Sequence, residues 1–234
     1  MATMATGAPF QAVLFDFNGV LWWDTQLQER AWVEFSSMVR GAPLTPEELK
    51  IHMHGRPNGY VLEYLTGQVL DAAAIAALTA QKEALYRGLC LEIGQRFQLS
   101  PGAADLLDFL AAQGIPFTIA TASEINNVRF FFAHLKLAAW FDFDRVVYDD
   151  GTFPGKPAPD IYRIAAARLG QPPERCIVVE DSLSGIAAAR AAGIGWIAAV
   201  STSSPPETLW AQPGVSAVLP DLRAFDRGWL RSAT

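Results

Sequence analysis

Two apolar runs far apart in the chain each stop at carboxylates, and no other feature constrains the fold as much. Val13-Leu14-Phe15 leads into Asp16-Phe17-Asn18-Gly19-Val20, and Ile177-Val178-Val179 leads into Glu180-Asp181-Ser182. Short runs with no polar alternation are buried on both faces, as strands of a parallel sheet are. Open α/β sheets hold ligands at the carboxyl ends of their strands, so both phrases deliver charge to the edge where chemistry is expected. Asn18 qualifies that expectation: two residues past Asp16 stands an amide, which cannot exchange a proton as a carboxyl does.

The chain from Pro101 onward fits such a sheet. Its spacing predicts a helix over 103–113 ending at Gly114, a strand over 116–120, a helix over 125–133 and an extended segment over 145–148. A helix over 159–169 stopped by Gly170 follows, then a strand over 176–179, a helix over 186–192 stopped by Gly193 and a strand over 195–200. A short strand at 217–219 and a closing helix complete the tail. Such alternation implies a doubly wound parallel sheet wrapped by helices. Between Thr25 and Ile93 nothing alternates like a strand. Leu27, Ala31, Phe35, Met38 and Val39 share one helix face, Tyr60, Val61, Tyr64 and Leu65 a second, and Leu78, Leu85, Leu89 and Ile93 a third. Residues 24–95 therefore read as an all-helical insertion in a core made of 1–23 and 96–234.

With 234 residues, 51% hydrophobic, the chain buries a sizeable core. A net charge of -6 without clustered Lys or Arg argues against nucleic-acid partners. No apolar run approaches the ~20 residues that a membrane span needs. Cys90 and Cys176 sit far apart in apolar contexts and are expected to be reduced, buried thiols. Residues Met1–Pro9 lack a basic start and a long apolar stretch, so no signal peptide is expected and the cytoplasm is the expected location. A monomer or weak homodimer is expected.

Four segments carry candidate chemistry. Asp16 ends a strand, and Gly19 after it lets the backbone turn closely around a bound group. Thr121, Ala122 and Ser123 end another strand where a helix is expected to open, offering hydroxyls and exposed N–H groups to a phosphate. Lys156, in Gly155-Lys156-Pro157-Ala158-Pro159-Asp160, precedes a helix and can neutralise phosphate and carboxylates alike. Glu180 and Asp181 supply hard oxygens of the kind Mg²⁺ prefers. Singly, each has a plainer reading: Asp16 as a turn residue, Thr121 and Ser123 as helix caps, Lys156 as a solvated surface lysine, Asp181 as a cap for the helix that follows. Their shared placement at strand ends favours a site.

Asp16-x-Asn18-Gly19-Val20, Thr121, Lys156-Pro157 and Glu180-Asp181 resemble the four signature motifs of the haloacid dehalogenase-like superfamily. The helical insertion resembles the cap of its β-phosphoglucomutase-like and phosphoglycolate-phosphatase-like branch. The resemblance implies a Rossmann-like core with an inserted cap and a small phosphorylated metabolite as substrate. It makes Asp16 the nucleophile that forms an aspartyl-phosphate, Thr121 the holder of the phosphoryl group and Lys156 the stabiliser of its charge. Mg²⁺ would be bound by Asp16, the backbone carbonyl of Asn18, Asp181 and Glu180. His54-Gly55-Arg56-Pro57-Asn58 resembles the substrate-specificity loop, with Gly55, Arg56 and Asn58 as binding residues and Arg56 suited to a second anionic group.

The chain departs from the family pattern at Asn18. Phosphatases and mutases of the family carry Asp there, as general acid and then base; an amide can offer its backbone carbonyl to a metal but no proton to a leaving group. Loss of such a group costs ~10² to 10⁴ in rate, or roughly 3 to 5 kcal/mol. Glu29 and His54 are candidate substitute donors. The expected function is an attenuated Mg²⁺-dependent phosphatase, with a sugar phosphomutase and a phospholigand-binding protein as alternatives. Asn58 and Gln28-Glu29 stand where mutases carry an arginine and a histidine, which weakens the mutase alternative.

Overall fold

The computed structural model describes residues 10–53 and 56–230. Met1–Pro9, His54, Gly55 and the last four residues lie outside the described residues, and with them the expectations for His54 and Gly55. The chain divides into two compact units, one holding the segment up to Trp23 and the segment from Leu99 onward, the other Asp24–Gln98.

In chain order the elements are β1 (Ala12–Phe15), α1 (Thr25–Arg40), α2 (Pro46–Glu48), α3 (Asn58–Thr66), α4 (Ala72–Glu92) and α5 (Ala103–Ala112). There follow β2 (Phe117–Glu124), α6 (Ile125–His134), β3 (Val147–Asp149), α7 (Asp160–Arg168) and β4 (Cys176–Glu180). The last are α8 (Leu183–Ala192), β5 (Trp196–Val200), α9 (Pro206–Trp210) and β6 (Val215–Leu219). Six strands form one sheet in the order β3-β2-β1-β4-β5-β6, with every neighbouring pair parallel. Every residue of β1 and β4 is buried, which is why neither run alternates. Leu14, Val178 and Ile197 pack with Ile161 and Ala165 of α7 and Ala189 of α8 in one cluster. The alanines of α8 let that helix lie close to the strands.

β1 is the strand beside which the winding reverses, and a doubly wound sheet opens its crevice there. Phe15 lies in register with Ile119 on β2 and Val179 on β4, and the Asp16 N–H donates to the Val179 carbonyl at 2.9 Å. The next residues of the three strands therefore emerge at one edge.

Three expectations are corrected. β2 runs on through Glu124, so Thr121, Ala122 and Ser123 lie on the strand rather than at a helix start. Glu124 caps α6 instead, its carboxylate accepting the N–H groups of Asn126 and Asn127. Asp142 accepts the Asp144 N–H and folds Phe143–Arg145 into a 3-10 turn, which delays β3 to Val147. The tail forms no closing α-helix among the described residues. It makes two 3-10 turns, Leu222–Ala224 and Arg227–Trp229, because Asp221 and Asp226 each bind the N–H two residues on and hold a local turn against helix.

The second unit is helical throughout, with one π-helical stretch at Leu49–Met53. Trp32, Phe35, Leu44, Val61, Leu62 and Leu65 form its core. It also buries charge: Lys82 pairs with Glu83, donates to Gln28 at 3.2 Å and lies 5.0 Å from the Trp32 ring centre. Asp24 accepts the Tyr86 hydroxyl at 2.6 Å and the Gln28 amide at 3.1 Å. Among the described residues no helix is long and apolar enough to cross a membrane, and both cysteines are buried and outside any disulfide.

Candidate active site

The ends of β1 and β4 and the loop before α7 bring four charged side chains together. Lys156 Nζ lies 3.1 Å from Asp16 Oδ1 and 2.5 Å from Glu180 Oε1. Asp16, Glu180 and Asp181 each place an oxygen within 4.8 Å of the others, and all three are buried. With all three carboxylates ionised, one ammonium would leave two negative charges in excess.

Glycines make this closeness possible at two points. Gly19 has φ +78°, and a Cβ there would stand 2.1 Å from Asp181 Oδ2. At Gly185, in the first turn of α8, a Cβ would stand 1.6 Å from Glu180 Oε1. Any side chain at either position would displace a carboxylate.

Glu180 is wholly buried and densely bonded. Its Oε1 accepts from Lys156 and from the Tyr162 hydroxyl at 2.9 Å, and its Oε2 accepts the N–H groups of Asp181 and Ser182 at 2.8 Å each and the Ser182 hydroxyl at 3.0 Å. Burial alone would raise Glu180, but the Lys156 charge and these bonds hold it below the usual carboxylate range. Burial would likewise lower Lys156; Asp16 and Glu180 outweigh it and hold the ammonium charged. The other two carboxylates lack such compensation. Burial pushes Asp16 up to about 7 despite the pull of Lys156. Burial, with repulsion from Glu180 and Asp16, pushes Asp181 up to about 8.

A second set of side chains meets at the β2 edge. The Ser123 hydroxyl donates to Asn18 Oδ1 at 2.8 Å, which orients the amide. The buried Thr121 hydroxyl accepts the Ser123 N–H at 3.1 Å and keeps its own proton to donate. Ala122 is exposed between them. Asp181 does not cap α8, because Ser182 does, accepting the Gly185 N–H at 3.0 Å. Arg56, Asn58 and Glu29 belong to the helical unit. There Arg56 lies 5.1 Å from the Tyr60 ring centre and Asn58 opens α3.

Sequence reasoning passed over three residues. Tyr162 reaches Glu180 from the first turn of α7. Ser203 donates to Asp181 Oδ2, and the Thr202 hydroxyl lies 2.7 Å from the Gly19 carbonyl and 3.3 Å from Asp181 Oδ2. The signal for the last two was a run of hydroxyls, Ser201 to Ser204, directly after an apolar strand.

Hard, buried oxygen donors with a surplus of negative charge fit a divalent cation such as Mg²⁺ better than a softer metal. The haloacid dehalogenase-like hydrolase family model matches residues 10–193, a span that includes all four charged side chains. The chain belongs to this family. Among curated members it is 31% identical over 190 residues to protein CbbY of Cereibacter sphaeroides, covering 79% of this chain and 81% of that protein. It is also 31% identical over 195 residues to hexitol phosphatase A of Escherichia coli K12, covering 82% and 84%. A family IA, variant 3 hydrolase structure from Entamoeba histolytica superposes with a TM-score of 0.89 at 35% identity, covering 94% of this chain and 96% of that one.

Proposed function

We propose that this protein is a Mg²⁺-dependent phosphatase of small phosphorylated metabolites, sugar or polyol phosphates foremost, acting through Asp16 at a rate limited by Asn18. The observation that carries the reading is the Asp16–Lys156–Glu180 arrangement beside Asp181 at the point where the winding of the sheet reverses. The similarity to a relative named hexitol phosphatase A supports the substrate class.

Asp16, Asp181 and the Asn18 backbone carbonyl, with Glu180 beside them, would hold Mg²⁺, which when bound offsets the surplus negative charge and polarises a phosphoryl oxygen. A carboxylate oxygen of Asp16 attacks phosphorus; the new O–P bond forms as the ester P–O bond breaks, and the electron pair leaves on the substrate oxygen. Lys156, fixed by Glu180, offsets charge on the transferring group, and the Thr121 hydroxyl holds one of its oxygens, with Ala122 and Ser123 alongside. Water then cleaves the aspartyl-phosphate and releases inorganic phosphate. Asn18 donates hydrogen bonds but no proton, so the departing oxygen draws its proton from solvent and good leaving groups are favoured. The helical insertion, residues 24–95, is the proposed substrate-selecting cap, with Gly55, Arg56 and Asn58 as its binding residues.

Phosphate release from a panel of phosphate esters with Mg²⁺ tests the reading. Release is expected from the native protein, more from Asn18→Asp and none from Asp16→Asn. Undiminished release by Asp16→Asn overturns the assignment.

A further inference from the structure

We infer that Ser203 and Thr202 form a hydroxyl clip that positions the Asp181 carboxylate and the Gly19 turn for the divalent cation; this inference rests on the metal-assisted reading above. Both residues lie in the loop that follows β5. That loop is tied to the sheet, because the Ser201 N–H donates to the Leu219 carbonyl of β6 and the Thr202 N–H to the Val200 carbonyl, at 2.9 Å each. The two hydroxyls therefore start from a fixed backbone.

They act on two segments. Ser203 donates to Asp181 Oδ2. Thr202 has one proton and two acceptors in reach, and directs it to the nearer, the Gly19 carbonyl at 2.7 Å rather than Asp181 Oδ2 at 3.3 Å. Gly19 directly follows Asn18, whose backbone carbonyl is a proposed ligand. One loop thus ties the segment after β1 to the segment after β4. Asp181 has only two side-chain torsions. With Oδ2 turned to the hydroxyls and pressed against Gly19, its plane is set, and Oδ1 is the oxygen that would be left to a bound ion. Hydrogen-bonding partners of this kind orient metal ligands, and losing one typically weakens metal affinity 10–100-fold.

Neither residue touches substrate in this assignment; both are positioning residues. A merely structural role would make them satisfy a buried carboxylate, and their loss would then lower the stability of the metal-free protein and leave metal affinity alone.

The two roles separate in calorimetric titration of the metal-free full chain with MgCl₂, alongside thermal melts without metal. Ser203 is exposed, so Ser203→Ala is expected to fold. Ser203→Ala and Thr202→Val are expected to raise the Mg²⁺ Kd by about 10-fold, and Thr202→Ser, which keeps the hydroxyl, to restore it to within about twofold of native. Asp181→Asn is the reference. If it loses Mg²⁺ binding while Ser203→Ala and Thr202→Val bind as tightly as the native protein, the clip is overturned and the metal site stands. If Asp181→Asn binds Mg²⁺ like the native protein, the metal site falls, and the clip with it.

Discussion

The sheet-bearing unit and the helical unit both bury charged side chains, and they do so in opposite ways. In the helical unit Lys82 meets Glu83, Gln28 and the face of Trp32, while Asp24 is answered by two neutral donors, Tyr86 and Gln28. There, the charges sit among partners that offset them. At the sheet edge Glu180 and Lys156 are similarly matched, but Asp16 and Asp181 are pushed up to about 7 and 8 by burial that Lys156 and Ser203 offset only in part. A matched buried pair holds a fold in one arrangement at little net gain, whereas an unmatched set marks a place built to receive something. The difference teaches that burial alone does not mark a site; the uncompensated sign does.

Four experiments break or sharpen that contrast. Removing the proposed nucleophile has the largest expected effect: Asp16→Asn should lower phosphate release by about 10⁴-fold or more while far-UV circular dichroism stays native. Asn18→Asp should raise turnover of an unactivated ester by ~10² to 10⁴; an unchanged rate would mean that the amide is not what limits the enzyme. Next comes a matched pair of lysine deletions. Lys156→Met should lower kcat by about 10²-fold, whereas Lys82→Met should cost about 3 kcal/mol of stability in denaturant melts by removing the buried ammonium that Glu83 pairs with and leave the Mg²⁺ Kd unchanged. A comparable loss of kcat in Lys82→Met would erase the distinction between the regions.

The smallest effect is on pH dependence. In the fold Asp16 and Asp181 keep protons that the unfolded chain sheds near 3.8. The stability they contribute is therefore full below that value and is lost progressively as pH rises to about 7 and 8. The Tm of the chelator-treated protein should fall over this window, with a shallower slope in Asp181→Asn. Saturating Mg²⁺ should raise Tm more at pH 8 than at pH 6, since binding displaces the protons. The same Mg²⁺ increment at both values would remove the uncompensated charge from the account.

Much of this was legible in the sequence, for identifiable reasons. β1 and β4 are buried on both faces, so continuous apolar runs announced them, and the carboxylates that stop those runs were the residues the fold brings together. The end of β2 was illegible because Thr121, Ala122 and Ser123 are small residues that suit a strand or a helix start equally; Glu124, whose side chain caps α6, decided the matter. The tail misled because Asp221 and Asp226 compete locally with helix in a way that periodicity does not register. Tyr162, Thr202 and Ser203 were passed over because their contacts depend on segments distant in sequence meeting in space.

The central place of β1 in the sheet also sets an order of events at the ribosome. The strand that carries Asp16 is made before both of its neighbours, since β2 and β4 begin only at Phe117 and Cys176. At ~5–20 residues per second, about ten to thirty seconds separate β1 from the completion of β4. Until β4 is made this apolar ribbon lacks a partner on one side, even after β2 has arrived on the other, and a polypeptide interrupted before Cys176 would lack Glu180 and Asp181 and leave that edge of β1 open.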